Sequence, residues 1–207
     1  MTIHIFHPSE DVTNAVSYYL GERKGIKVCT MDIADIQPGK MRVKTVGVVL
    51  AGNSFGLMDG GIDLAAARRW KNAQKEVQSA IAEQFFGELP VGCAVTVKSD
   101  GMLLVYAPTM QVPISIVGSA HVFYAALAAL REAKRYGISE LWIPMLGCGV
   151  GEMSIQDSAM QIANAVACAN ERVKAPDMTW QFAARRHGIW HEMCHLPPDK
   201  VEDQQEQ

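Results

Sequence analysis

The chain has 207 residues, 49% hydrophobic and 20% charged, with a formal net charge of −3. That length builds one well-cored domain plus a tail, and the balance is that of a globular protein rather than a disordered one. The small negative charge excludes the basic footprint of nucleic-acid binding, and no run approaches the ~20 apolar residues of a membrane span. Met1-Thr2-Ile3-His4 has neither a basic nor an apolar leader region, so secretion is not expected. Five cysteines (Cys29, Cys93, Cys148, Cys168, Cys194) are odd in number, scattered and without a C-x-x-C pair. They predict reduced thiols and a cytoplasmic location.

In chain order, Ile3–Phe6 reads as a strand, and Ser9 caps a short helix that runs to about Leu20 and ends at Gly21. Lys27–Met31 and Val46–Leu50 are the second and third strands, joined by a surface connection containing Pro38-Gly39. Apolar residues then recur at Ile62, Ala66, Trp70, Ala73, Val77, Ile81 and Phe85, which predicts one long helix from Asp63 to about Phe86. Arg68, Arg69 and Lys71 on it form a short, solvated basic face. Cys93–Val97 and Met102–Tyr106 are strands joined by a hairpin turn at Ser99-Asp100-Gly101.

Ser119–Tyr136 is the second long helix, with an apolar stripe of Val122, Ala126, Leu130 and Ala133 and Gly137 just past its end. Leu141–Leu146 is a strand, Ser154 an N-cap with Asp157 three residues on, and the helix beyond buries Ile155, Ala159, Ile162, Ala163 and Val166. Trp180–Ala183 reads as a last strand and 199–207 as a disordered acidic tail. Alternating strands and helices predict a three-layer α/β/α fold with a mixed, largely parallel central sheet, a single domain over residues 1–198.

Two junctions carry the chemistry. Ala51 to Asp63 (A-G-N-S-F-G-L-M-D-G-G-I-D) lies between a strand and a helix and holds four glycines, Gly52, Gly56, Gly60 and Gly61. Leu146 is followed by Gly147, Cys148, Gly149, Val150 and Gly151 in the same setting. Where a strand's carboxyl end meets a helix's amino end, free backbone N–H groups point outward and suit an anion. Two such loops in one domain suggest that both close on one diphosphate.

The first segment resembles the signature of the macro domain family, in which a strand ends in an Asn and runs through glycines to a Val/Ile-Asp pair. Asn53 and Asp63 show the spacing of the members that hydrolyse ADP-ribose derivatives. P-M-L-G-C-G-V-G (Pro144–Gly151) is similar to the family's second glycine loop, and Cys29-Thr30-Met31-Asp32-Ile33 to its early G-D-I segment. The order of elements agrees over roughly Ile26 to Val173. The N-S-F-G-x-M-D-G-G-I-D core together with Ala107-Pro108-Thr109-Met110 resembles a subgroup associated with phages and bacteria. The common form of the family has glycines where this chain has Met58 and Asp59.

The resemblance implies an ADP-ribose ligand or an ADP-ribosylated substrate. Asp32 and Ile33 would lie at the adenine, Asn53 at the distal ribose, and Gly60, Gly61, Ile62 and Gly147, Cys148, Gly149, Val150, Gly151 around the diphosphate. No cofactor, metal, nucleic acid or membrane is implied. Asp63, with Asn53, is the candidate catalytic residue. A carboxylate there orients or deprotonates a water attacking the distal ribose, with the helix N-terminus expected to lower its pKa and keep it ionised.

Each of these residues also has a plain structural use. Asp63 could serve as an N-cap, Asn53 could bond its own turn, and Asp32 could cap the irregular segment before Ile36. Cys148 could be a thiolate at a helix N-terminus or a small filler. His187, His191, Cys194 and His195 would share one helical face suited to zinc, or belong to a packed C-terminal segment. A nicotinamide loop is excluded because Glu152 stands where G-x-G-x-x-G needs glycine, and no G-x-x-x-x-G-K-[ST] occurs. Three functions remain: a hydrolase of distal-ribose modifications (ADP-ribosylated side chains, O-acetyl-ADP-ribose or ADP-ribose 1″-phosphate), a non-catalytic ADP-ribose reader, and a phage-type accessory protein that has lost the ligand.

Overall fold

The computed structural model describes residues 1–37, 45–179 and 182–183. The chain forms two compact units, Met1–Ala169 and Asn170–Gln207. Among its described residues the first contains six strands and five α-helices. They are β1 (Thr2–His7), α1 (Glu10–Leu20), β2 (Ile26–Thr30), β3 (Val46–Leu50), α2 (Gly61–Arg69), α3 (Ala73–Phe85), β4 (Val95–Ser99), β5 (Met102–Tyr106), α4 (His121–Arg135), β6 (Glu140–Pro144) and α5 (Ile155–Asn170). The strands form one sheet in the order β2-β1-β6-β3-β5-β4, parallel throughout except for β4.

Strand alternation splits the core into two layers. Ile3, Ile5, Val49, Val105 and Ile143 face one side, packed with Val16 of α1, Leu130 of α4 and Ile162 of α5. Phe6, Val48, Leu50, Leu104 and Trp142 face the other, with Ala66 of α2 and Val77 and Ile81 of α3. Successive side chains of a strand point to opposite faces, so a fully apolar run such as Val46–Leu50 fits a strand covered on both sides. The result is the expected three-layer α/β/α architecture around a largely parallel sheet.

Local signals held at several ends. Gly21, at φ 57, stops α1, and Gly137, at φ 63, follows α4. Asp100 and Gly101 both have positive φ in the β4–β5 hairpin, the conformation a tight two-residue turn needs. Asp157 N–H donates to Ser154 Oγ at 3.0 Å, and that hydroxyl donates to Asp157 Oδ2 at 2.7 Å.

Two expected elements differ. The helix predicted from Asp63 to Phe86 is two helices, broken between Arg69 and Ala73, because Trp70 turns to extended backbone (φ −119, ψ 94). Its indole is buried at the break, which contributes about 1.5–3 kcal/mol, comparable to the helical bonds it interrupts. The strand expected at Trp180–Ala183 is absent where it is described. Phe182 and Ala183 are helical, with Ala183 N–H donating to the Thr179 carbonyl at 3.0 Å. The Pro38-Gly39 connection, the His187/His191/Cys194/His195 cluster and the tail at 199–207 lie outside the described residues.

Candidate functional site

The carboxyl ends of β1, β3 and β6 meet at one edge of the sheet, and the segments leaving them enclose a cleft of about 470 Å³. That volume suits a nucleotide-sized ligand. The residues that the family resemblance assigned to ligand or catalysis line it: Asp32 and Ile33, Asn53, Gly60 to Asp63, and Gly147 to Gly151. The two glycine loops therefore do converge.

The first loop is held by its own polar groups. Asn53 is buried; its Oδ1 accepts from the Phe55 and Leu57 N–H groups at 3.0 and 3.2 Å, and its Nδ2 donates to the Leu57 carbonyl at 2.8 Å. The turn-bonding use of this side chain is thus the one observed. The Tyr106 hydroxyl donates to the Asn53 carbonyl at 2.8 Å, and Met58 is buried with its N–H on Gln74 Oε1 at 3.0 Å. Gly60 and Gly61 face open space, with nothing within 4 Å of where a Cβ would stand.

Asp63 lies in the first turn of α2, whose N-cap is Gly60, so its carboxyl is not the cap. It is buried, it accepts from the Ala51 backbone N–H, and its Oδ1 has no partner. Burial pushes its pKa up to about 7, the Ala51 bond opposes this, and the nearby Asp59 adds to it. The expectation that the helix N-terminus keeps this group fully ionised is corrected: desolvation of a nearly enclosed carboxylate outweighs a terminal dipole worth ~1–2 kcal/mol.

The second loop is tightly folded. Gly147, at φ 72, lies where a Cβ would come within 2.9 Å of both Ile116 and Val122, and at Gly151 a Cβ would come within 2.6 Å of the Gly147 carbonyl. Gly149 alone of the three is open, with nothing within 4 Å. The Cys148 thiol donates to the Leu146 and Ser154 carbonyls at 3.6 and 3.9 Å. Burial raises its pKa, so the thiolate reading gives way to a thiol that ties the loop. Val150 is exposed at the rim.

Asp32 caps the short 3-10 turn Ile33–Asp35, accepting from Ala34 N–H at 2.8 Å, while it lines the cleft. Among the described lining residues there are three acidic side chains (Asp32, Asp59, Asp63), one histidine (His7) and no lysine or arginine. The glycine-loop backbone N–H groups and the helix termini are suited to hold an anionic ligand here.

Sequence reasoning missed Phe6 and Pro8 at the end of β1, and Thr109 and Met110 beyond β5, all of which line the cleft. The Thr109 segment gets there by extending the β3–β5 pairing. Ala107 N–H donates to the Leu50 carbonyl at 2.9 Å and Thr109 N–H to the Gly52 carbonyl at 3.1 Å. His121 Nδ1 then donates to the Thr109 carbonyl at 2.9 Å. The signal available was Ala107-Pro108-Thr109-Met110 itself, a non-repeating motif directly after a strand. Among the described residues no group of three or more His, Cys, Asp or Glu side chains could hold a metal ion, and no helix is long and apolar enough to cross a membrane.

Comparison with known proteins gives a consistent result. The family model described as Macro domain matches residues 49–162, both glycine loops included. An uncharacterized protein of Aeropyrum pernix is 32% identical over 145 residues, covering 68% of this chain and 71% of its own. Among solved structures, the macrodomain of Mycobacterium tuberculosis DarG superposes with a TM-score of 0.53 at 20% identity, over 64% of this chain and 88% of its own. Thermosipho africanus DarTG in complex with ADP-ribose superposes with a TM-score of 0.51 at 13% identity, over 86% of this chain and 56% of its own. At those identities the structural likeness is one of fold.

Proposed function

Because the chain belongs to the macro domain family, we propose that its cleft binds ADP-ribose and that the protein hydrolyses a modification at the distal ribose. The observation that carries the binding half is convergence. Two glycine loops distant in sequence, with Asp32, Asn53 and Asp63, line one nucleotide-sized cleft, and Gly60, Gly61 and Gly149 leave their backbone open to it. Asp32 retains carboxylate capacity for an adenine amino group beyond its bond to Ala34. An ADP-ribose-bound structure of the same fold supports the choice of ligand.

The hydrolytic half rests on Asp63. A carboxyl titrating near neutrality, buried in the cleft wall and with one oxygen unpartnered, is matched to take a proton from a water attacking the sugar. The substrate class is an ADP-ribosyl ester, O-acetyl-ADP-ribose or ADP-ribose 1″-phosphate. One observation favours the alternative of a non-catalytic reader. The Asn53 amide is spent on its own turn, so it has less to offer reacting ribose hydroxyls than its position suggests.

Calorimetry with ADP-ribose and AMP tests the ligand, with micromolar affinity expected for ADP-ribose and weaker binding for AMP. Equal affinities would show that the distal half of the cleft contributes nothing. Release of ADP-ribose from the three substrate types separates enzyme from reader. A protein that binds ADP-ribose and turns over none of them is a reader.

A further inference from the structure

Away from the cleft's glycine loops, three neighbouring parallel strands place a cysteine, a histidine and a glutamate in line on one face of the sheet. His4 of β1 points Nδ1 at Cys29 Sγ of β2, 3.5 Å away, and Nε2 at Glu140 Oε1 of β6, 3.3 Å away. The imidazole is buried and lies flat on Trp142, ring centroids 4.2 Å apart and planes 13° from parallel. The strand register explains the alignment, since His4 pairs with Trp142 while Phe6 pairs with Cys29.

This order of groups has a chemical sense. A carboxylate only accepts hydrogen bonds, so the His4 nitrogen facing Glu140, Nε2, carries a hydrogen. In the neutral ring that tautomer makes Nδ1 an acceptor, and the Cys29 thiol then donates in the 3.5 Å contact. A nucleophile next to a base that is itself oriented by an acid is the general arrangement for activating a thiol. Because Cys and Glu lie at opposite nitrogens of one ring, the three groups form a relay and not a metal site. Burial raises the Cys29 pKa, partly offset by Lys27, so the resting group is the thiol. Its sulfur becomes nucleophilic as His4 takes the proton.

We propose that Cys29 is a site of oxidation by small hydroperoxides, with His4 as its base and Glu140 as the residue that orients His4. The sulfur attacks one peroxide oxygen, an S–O bond forms and the O–O bond breaks. The thiol proton passes to His4 Nδ1 and on to the departing oxygen, which leaves as an alcohol, or as water when the oxidant is hydrogen peroxide. The sulfur is oxidised by two electrons to a sulfenic acid and the peroxide is reduced. Cys29 lies three residues before Asp32, so the modification would sit beside the expected adenine end of the cleft.

The chain supplies its own controls, because Cys93, Cys148 and Cys168 are, like Cys29, partly exposed. The full-length reduced protein is treated with limiting hydrogen peroxide, sulfenic acids are trapped with dimedone, and each cysteine is quantified by peptide mass spectrometry. Cys29 should be trapped at least roughly tenfold faster than Cys93 and Cys168, and Glu140→Gln should slow Cys29 roughly tenfold while leaving those two unchanged. The wild-type comparison needs no variant to fold: Cys29 reacting no faster than Cys93 and Cys168 overturns the proposal. So does a Glu140→Gln protein in which the Cys29 rate is unchanged, and His4→Gln gives a second reading of the same relay.

Discussion

Asp63 Oδ2 occupies the space a side chain at Gly52 would need: a Cβ there would stand 1.8 Å from that oxygen and 3.0 Å from the Tyr106 hydroxyl. The carboxyl is thus packed against bare backbone at the end of β3, which is how an acidic group comes to be enclosed at the mouth of a ligand cleft. Gly52→Ala should lower the unfolding free energy by about 1–3 kcal/mol, the usual cost of overpacking. Urea unfolding in a double-mutant cycle checks the cause. In an Asp63→Ala background the obstructing oxygen is gone and Gly52→Ala should cost measurably less. Additive losses would mean that the strain lies elsewhere.

The raised pKa of Asp63 gives a sign to the pH dependence of stability. Its ordinary value is 3.8 and its folded value about 7. Between those values the folded protein holds a proton that the unfolded chain has released. This group's contribution therefore falls as pH rises from about 4 to about 7, then stays flat. Asp63→Asn removes the penalty of charging, so the variant should gain on the wild type by up to about 4 kcal/mol at pH 8, by less than about half of that at pH 5, and match it only below about pH 4. Denaturant unfolding of both proteins at pH 5 and pH 8 measures the difference. An equal gap at both values would show that Asp63 does not titrate in this range.

What the sequence disclosed and what it hid follow from the range of the forces involved. Strand–glycine–helix junctions were legible because close packing at Gly147 and Gly151 demands glycine locally, while Gly60 and Gly149 leave the backbone of the same loops open. The break at Trp70 was not, because apolar residues continue at helical spacing across it (Ala66, Trp70, Ala73, Val77) and no glycine or proline marks it. The protonation of Asp63 was hidden for another reason. It depends on Ala51 and Gly52 behind the carboxyl and on the neighbouring charge of Asp59, a three-dimensional enclosure with no one-dimensional pattern. Thr109 and Met110 reach the cleft through pairing between β3 and β5, strands separated by two helices and a strand.

The open glycines yield a binding test with little risk to the fold. Gly60→Glu and Gly149→Glu each place a side chain where no atom stands within 4 Å of the Cβ, and neither glycine has positive φ. Both variants should unfold like the wild type and lose ADP-ribose binding, since each adds bulk and negative charge to the space assigned to the diphosphate. Thermal unfolding and calorimetry measure the two halves separately. A folded variant that still binds would place the diphosphate elsewhere.

Asp59 lines the cleft, is exposed, and stands in a loop where the family usually has glycine. Among the described lining residues no lysine or arginine stands beside it. Asp59→Gly should tighten ADP-ribose binding roughly threefold to fivefold at low salt, with the gain shrinking as salt is raised, as expected for a screened, solvent-facing charge. A dissociation constant unchanged at low salt would mean that Asp59 points away from the ligand. The same substitution removes one contributor to the raised Asp63 pKa, so that group should titrate lower.

Asp63→Ala separates catalysis from recognition. If the carboxyl takes the proton of the attacking water, its removal should cost on the order of a hundredfold or more in hydrolysis, while ADP-ribose affinity stays within about tenfold. The wild-type rate should rise with pH through about 7 as the carboxyl ionises, and that step should be absent from the residual activity of the variant. A variant that loses binding and hydrolysis in equal measure would make Asp63 an anchor for the sugar. A wild-type rate flat from pH 5 to pH 9 would assign the base to another group, and Asn53, whose amide is held by Phe55 and Leu57, cannot fill that role because it has no proton-accepting site in this range.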